Sequence, residues 1–443
     1  MQFYSTNDHT LRVGVEEAIF SGLPEDKGLY MPERIVPLPD RFFSDLPSLS
    51  FTEIGYRVAR QLLGEELSEN ELRQIVEESI DFPAPIVSLD DQKYILELFH
   101  GPSLAFKDFG ARFMSRLMGH YNKGKEQELI ILVATSGDTG GAVAAGFYRT
   151  PGIQVVILYP KGKVSKLQEQ QLTTLGENIH ALEIEGTFDD CQAIVKQAFT
   201  DGGLRQRLRL SSANSINIAR LIPQTFYYFE AVKQLGAGDP IVFSVPSGNF
   251  GNLTAGLIAA RLGLPIHHLI AATNINEVVP RYLSTGQYRT QPSTPTLSNA
   301  MDVGAPSNFA RIINLYGHLN GVIHPTEEVH QQLGRLLSAY SFTDLATEAA
   351  VREVEEVYRY IIDPHGAVGY LALKHWQQEH PATRGVILET AHPSKFKVDV
   401  ERILDHPIEV PRRLAELENR KKIATPLSTE YLDTREWLLH RFA

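Results

Sequence analysis

Between residues 128 and 393 short apolar runs keep recurring, and most end in a loop of small residues that opens a helical pattern. ELIILVA (128–134) leads into ATSGDTGGAV (134–143). QVVILYP (154–160) is followed by KVSKLQEQQLTTL and a stop at Gly176. IHALEIEG (179–186) precedes TFDDCQAIVKQAF. PIVFSVP (240–246) runs into Gly-Asn-Phe-Gly-Asn, and GVILETAHP (385–393) is a late run of the same kind. Buried strands alternating with helices predict an α/β chain, with mostly parallel sheets covered on both faces. Sheets of this kind take ligands at the carboxyl ends of their strands. The loops after the strands are therefore the places to look for chemistry.

The first 82 residues follow another rule. VGVEEAIFSGL (13–23) and FTEIGYRVARQLLG (51–64) carry apolar residues at helical spacing. SENELRQIVEESI (68–80) opens with Ser68 and Glu71 in a capping-box arrangement. The proline-bearing segment DFPAPIVSL marks a boundary. The expected organisation is a largely helical amino-terminal cap over 1–82 and a catalytic region over 83–443. Within the latter, a smaller subdomain, 107–210, is set into a larger one built from 83–106 and 211–443. The charged tail from Pro411 onward reads as helix covering a surface.

A chain of 443 residues is too long for one small core, which agrees with this division. The net charge of -11 argues against a nucleic-acid binder, since such proteins present a basic face. The single cysteine, Cys191, allows no internal disulfide and suits a reducing cytoplasm. MQFYSTNDHT lacks the features of a secretory signal, and no apolar run is long enough to span a membrane. The 15 histidines are scattered without metal-ligand spacing, so no metal is expected; His365, in DPHGAVGY, reads as part of a helix start. The expected partner is a small molecule, acting on a monomer or small homo-oligomer.

Three loops and one lysine carry candidate chemistry. SVPSGNFGNLTAG (244–256) ends a strand and opens a helix, so its backbone N–H groups can converge on a phosphate. It is no P-loop, because Gly-Lys-Ser/Thr does not follow. In ATSGDTGGAV, Ser136, Gly137, Asp138 and Thr139 precede a helix and suit either a carboxylate or simple capping. In SSANSINIARLIPQ (211–224), Asn214, Ser215 and Asn217 lead to Arg220, whose fork can engage two oxygens of a phosphate. Lys107, in GPSLAFKDFGARF, stands between Phe106 and Asp108-Phe109. A lysine near apolar walls loses its proton more readily and can then form a Schiff base with an aldehyde. Each feature also has an ordinary structural reading when taken singly.

Together, ELFHGPSLAFKDFG, TSGDTGGAV, PKGKVSKLQEQQL, PSGNFGN, LSNAMDVGAPSNFAR and ETAHPSKF, in this order, closely resemble threonine synthase. That family uses pyridoxal 5'-phosphate (PLP) and shares the tryptophan synthase β-like fold, PLP fold type II, with the serine/threonine dehydratases. The likeness extends over nearly the whole chain, including GLYMP (28–32) in the cap. It implies conversion of O-phospho-L-homoserine and water to L-threonine and phosphate, by γ-elimination and β-addition of water, as the last step of threonine biosynthesis. It implies that Lys107 bonds the cofactor and acts in catalysis, and that Gly248, Asn249, Phe250, Gly251 and Asn252 surround the cofactor phosphate. Thr390 would face the pyridine nitrogen. Ser136, Gly137 and Thr139 would receive the amino-acid substrate, and Asn214, Ser215 and Arg220 its phosphate.

One position departs from the wider fold type. Asp138 stands where many of these enzymes have Asn donating to the cofactor's phenolic oxygen. An ionised aspartate only accepts hydrogen bonds. Asp138 is therefore expected to be protonated, rotated away or paired with a donor. Two other readings share the scaffold: a lyase releasing 2-oxobutyrate and ammonia, and a cofactor-binding protein without turnover.

Overall fold

A computed structural model describes residues 1–236, 238–317, 326–417 and 419–443. Two parallel sheets organise the catalytic region. The larger has six strands in the order Leu337–Ser341, Ile266–Thr273, Ile241–Pro246, Arg384–Glu389, Lys93–Glu97 and Ile86–Ser88. All neighbours run parallel except the last pair. The smaller is wholly parallel, in the order Thr425–Leu427, Ile179–Ile184, Ile153–Pro160, Leu129–Ala134 and Arg209–Ser212. Its central strands are apolar apart from Gln154, because helices cover both faces.

Two boundaries differ from the sequence reading. The strand Arg209–Ser212 carries the smaller sheet slightly past 210. The tail grouped with the larger unit instead adds Thr425–Leu427 to the edge of the smaller sheet. Helix Tyr431–Phe442 then packs on that unit, with Leu438 in a cluster that includes Cys191, Ile194 and Leu182.

The amino-terminal region holds the expected helices, Val15–Ser21, Phe51–Leu63 and Glu69–Ser79; Ser68 and Glu71 form the capping box. It also contains a small antiparallel sheet, Arg12–Val13, Phe3–Ser5 and Tyr30–Pro32. Strands of two or three residues are too short to show an alternating pattern, so the sequence gives no sign of them. The buried apolar side chains of this region are continuous with those under helix Lys107–Asn122, including Phe109 and Phe113. The cap thus supports the helix that carries the candidate lysine.

Candidate active site

The segment before Lys107 is fixed from two directions. Asp108 turns back, and its Oδ2 accepts from Ser103 N–H at 2.8 Å. A Cβ on Gly101 would lie 2.5 Å from that oxygen, so the turn closes only around glycine. Ala105 bridges Ala391, Phe106 N–H donates to Thr390 O at 2.9 Å, and His392 N–H donates to Leu104 O at 3.0 Å. This antiparallel pairing carries Lys107 to the carboxyl end of the strand Arg384–Glu389, beside Thr390. Among the described residues the Lys107 amine makes no hydrogen bond. Burial, with help from Arg220 and Lys395 and against the pull of Asp138, lowers it to about 8.

The glycine loop lies at the end of the neighbouring strand, Ile241–Pro246. Phe250 adopts a left-handed conformation (φ 60°) as the cap of helix Gly251–Arg261. From Gly248 to Asn252 no backbone N–H donates to an acceptor among the described residues. A Cβ on Gly248 would meet Ala300 O at 2.5 Å. The loop is braced by side chains that sequence reasoning assigns to ligand contact. Asn249 donates through Nδ2 to Ser215 Oγ at 2.7 Å, and its Oδ1 accepts from Ser307 N–H at 2.5 Å. Asn252 Oδ1 accepts from the hydroxyls of Tyr227 (2.6 Å) and Tyr228 (2.9 Å), and its buried Nδ2 bonds to none of the described residues. Behind the loop, Ala300 N–H donates to Nε2 of buried His365 at 3.2 Å, and Asp363 holds His365 Nδ1 at 2.6 Å. His365 is a structural brace, as its helix-start position suggested.

The second loop follows the strand Leu129–Ala134 in the smaller sheet. Thr135 Oγ1 accepts from Gly137 N–H (3.0 Å) and Gly140 N–H (2.8 Å), and Gly137 has φ 141°. The hydroxyls of Ser136 and Thr139 bond to none of the described residues. Asp138 is buried and paired with a donor, one of the three outcomes its sequence position allowed. Its Oδ1 receives Lys395 Nζ at 2.8 Å and Gln168 Nε2 at 3.0 Å. Despite burial, Lys395 and Lys107 hold its carboxyl well below the usual carboxylate range. Lys395 is 1 % exposed. The sequence reading missed it, although it shares part of the signal that singled out Lys107, a lysine beside a phenylalanine.

Arg220 lies under the Lys107 helix. A Cβ on Gly110 would sit 2.7 Å from its Nε, so glycine makes room for it. Nη1 donates to Ala213 O at 2.6 Å, while the buried Nε has no partner among the described residues. Burial lowers the guanidinium to about 10, and it forms no ion pair among the described residues. Asp108 acts on it without bonding to it, and a buried cation with no carboxylate in contact suits an anionic ligand. Asn217 is not part of that arrangement: its side chain bonds to Ile19 O and caps Ala219 N–H. The Asn214 side chain bonds to none of the described residues, and Ser215 is tied to Asn249.

These residues fit PLP. Orphan N–H groups at a helix start suit its phosphate, and an unbonded amine with a lowered proton affinity suits its aldehyde. Residues 82–390 match the family model described as pyridoxal-phosphate dependent enzyme, which establishes the class. Residues 2–80 match the threonine synthase N terminus and 366–436 the threonine synthase C-terminal model. A threonine synthase from Serratia marcescens is 43 % identical, with 99 % of each chain covered. The crystal structure of the Escherichia coli enzyme superposes with a TM-score of 0.90 at 41 % identity over the whole of both chains. A PLP-bound threonine synthase from Brucella melitensis gives 0.93 at 35 % identity, covering 100 % of this chain and 99 % of that one. The chain belongs to the threonine synthase family of PLP-dependent enzymes.

Proposed function

We propose that the substrate is O-phospho-L-homoserine, that the products are L-threonine and phosphate, and that the residues around Lys107 carry the reaction. What supports this reading is a Lys107 amine that bonds to none of the described residues, together with three sets of groups that retain unbonded donors among those residues. The backbone N–H groups of Gly248–Asn252 suit a resident phosphate. The hydroxyls of Ser136 and Thr139, at the start of helix Asp138–Phe147, suit an α-carboxylate, with Gly137 shaping the turn between them while its N–H goes to Thr135 Oγ1. Arg220, with Asn214 and Ser215 nearby, suits a second phosphate. A substrate with a carboxylate at one end and a phosphate at the other uses the last two sets together.

Bound pyridoxal phosphate supplies an electron sink for the negative charge that develops on the substrate carbons. Lys107 would hold it and, once displaced by the substrate amine, take the proton from Cα. With its affinity lowered to about 8, the amine has an appreciable neutral fraction near neutral pH. Thr390 would offer the ring nitrogen a hydroxyl, which unlike a carboxylate does not hold it protonated. Arg220 would neutralise charge growing on the departing phosphate. Water would then add at Cβ. A cytoplasmic location belongs to the same reading, supported by the single buried thiol of Cys191.

The test is product identification. Purified enzyme loaded with cofactor and given O-phospho-L-homoserine should release L-threonine and phosphate in equal amounts. Release of 2-oxobutyrate and ammonia instead would overturn the assignment.

A further inference from the structure

Lys395 occupies a position that the proposed reaction does not yet use. It lies in the short turn Pro393–Phe396, after Thr390, on the larger unit. Its Nζ reaches across the cleft to Asp138 Oδ1 at 2.8 Å, on the smaller unit, and donates to Ser103 O at 2.8 Å. Gln171 Nε2 adds a bond to the same carbonyl at 2.9 Å. Ser103 is thus gripped at its N–H by Asp108 and at its carbonyl by Lys395 and Gln171, just ahead of Lys107. An ammonium has three hydrogens, and these two contacts use two.

The charges facing Lys107 come from three elements. Asp138 opens the helix of the second loop, Arg220 lies beneath Lys107's own helix, and Lys395 approaches from the turn after Thr390. Asp108, next in sequence, is directed away toward Ser103. Asp138 is therefore the one carboxylate among the charges acting on the Lys107 amine, and Lys395 has already engaged it. An Asp138 released from Lys395 would have Lys107 as the other cation that acts on it. A buried carboxylate left unpaired is costly, so that new pairing would be strongly favoured and would hold Lys107 as an ammonium.

We propose that Lys395 is a positioning residue for Lys107. By binding Asp138 across the cleft it keeps that carboxylate from pairing with the Lys107 amine, and so leaves the amine available as nucleophile and base. The inference rests on the reading of Lys107 as the cofactor-bonding residue.

The experiment follows capture of pyridoxal phosphate by the full-length chain stripped of cofactor. The rate of appearance of the visible band is measured from neutral to alkaline pH. Lys107→Ala should give no such band; a band equal to wild type would discard the earlier reading of Lys107 rather than this one. With that control in place, Lys395→Met should move the midpoint of the rate–pH curve upward by about one unit or more, the effect of a newly available opposite charge. Asp138→Asn should move it downward, because the one group that raises the Lys107 value is gone. The double variant should return toward wild type, and Lys395→Arg should lie close to it. A lysine that merely braced the fold would lower thermal stability without moving the midpoint. An unmoved or lowered midpoint in Lys395→Met, or an unmoved one in Asp138→Asn, overturns the proposal. Asp138→Asn decides the matter alone should Lys395→Met fail to fold.

Discussion

The two glycine-bearing loops of the site begin alike and are finished differently. Each follows the carboxyl end of a parallel strand and opens a helix. The Gly248–Asn252 loop has its side chains committed to protein: Asn249 to Ser215 and Ser307, Asn252 to two tyrosines, Gly248 pressed on Ala300. Its backbone donors remain, with the buried Nδ2 of Asn252. In the Ser136–Thr139 loop the anchors are Thr135 and Asp138, and the hydroxyls of Ser136 and Thr139 bond to none of the described residues. A loop that offers fixed backbone suits a group that stays; one that offers rotatable hydroxyls suits a ligand that arrives and leaves each turnover.

Four changes test this contrast. Lys107→Ala, which removes the group between the loops, should abolish turnover and the visible absorption of lysine-bound cofactor while the chain still folds; a spectrum and a rate assay suffice. Arg220→Ala should lower kcat/KM on the order of a hundredfold or more, with Arg220→Lys in between, since charge survives but the fork does not. Cofactor retention should hardly change; loss of cofactor with substrate binding spared would exchange the two phosphate sites. Asn249→Ala loosens the resident loop and should raise the cofactor dissociation constant about tenfold, the worth of roughly one to two hydrogen bonds. An unchanged constant, measured by equilibrium dialysis, would mean that the backbone holds its shape without the brace. Thr139→Ala should raise KM about fivefold, one neutral hydrogen bond's worth, and leave cofactor affinity alone. If Thr139→Ala strips the cofactor, the division of labour between the loops fails.

Much of this could be read from the sequence because it is encoded locally. The strand runs, the helix starts and the small residues between them lie within a few positions of one another. Lys107 was visible through its apolar neighbours. What stayed hidden depends on distant partners. Nothing near Asn249 announces Ser307, and nothing near Asp138 announces Lys395; both pairings are made by the way the strands are ordered in the sheets. The short strands of the cap escaped for a different reason, since two or three residues carry no period. The strand Thr425–Leu427 escaped likewise, concealed in a charged tail.

That last strand also bears on how the molecule assembles. Thr425 pairs with Leu182, and between them the chain builds four of the six strands of the larger sheet. The smaller sheet therefore keeps an open edge along Ile179–Ile184 until the end of the chain has been made. A synthesising ribosome holds back the piece that covers it. Unpaired strand edges are sites of self-association, so chains stopped short of Thr425 should emerge with a sticky border that the finished molecule does not possess.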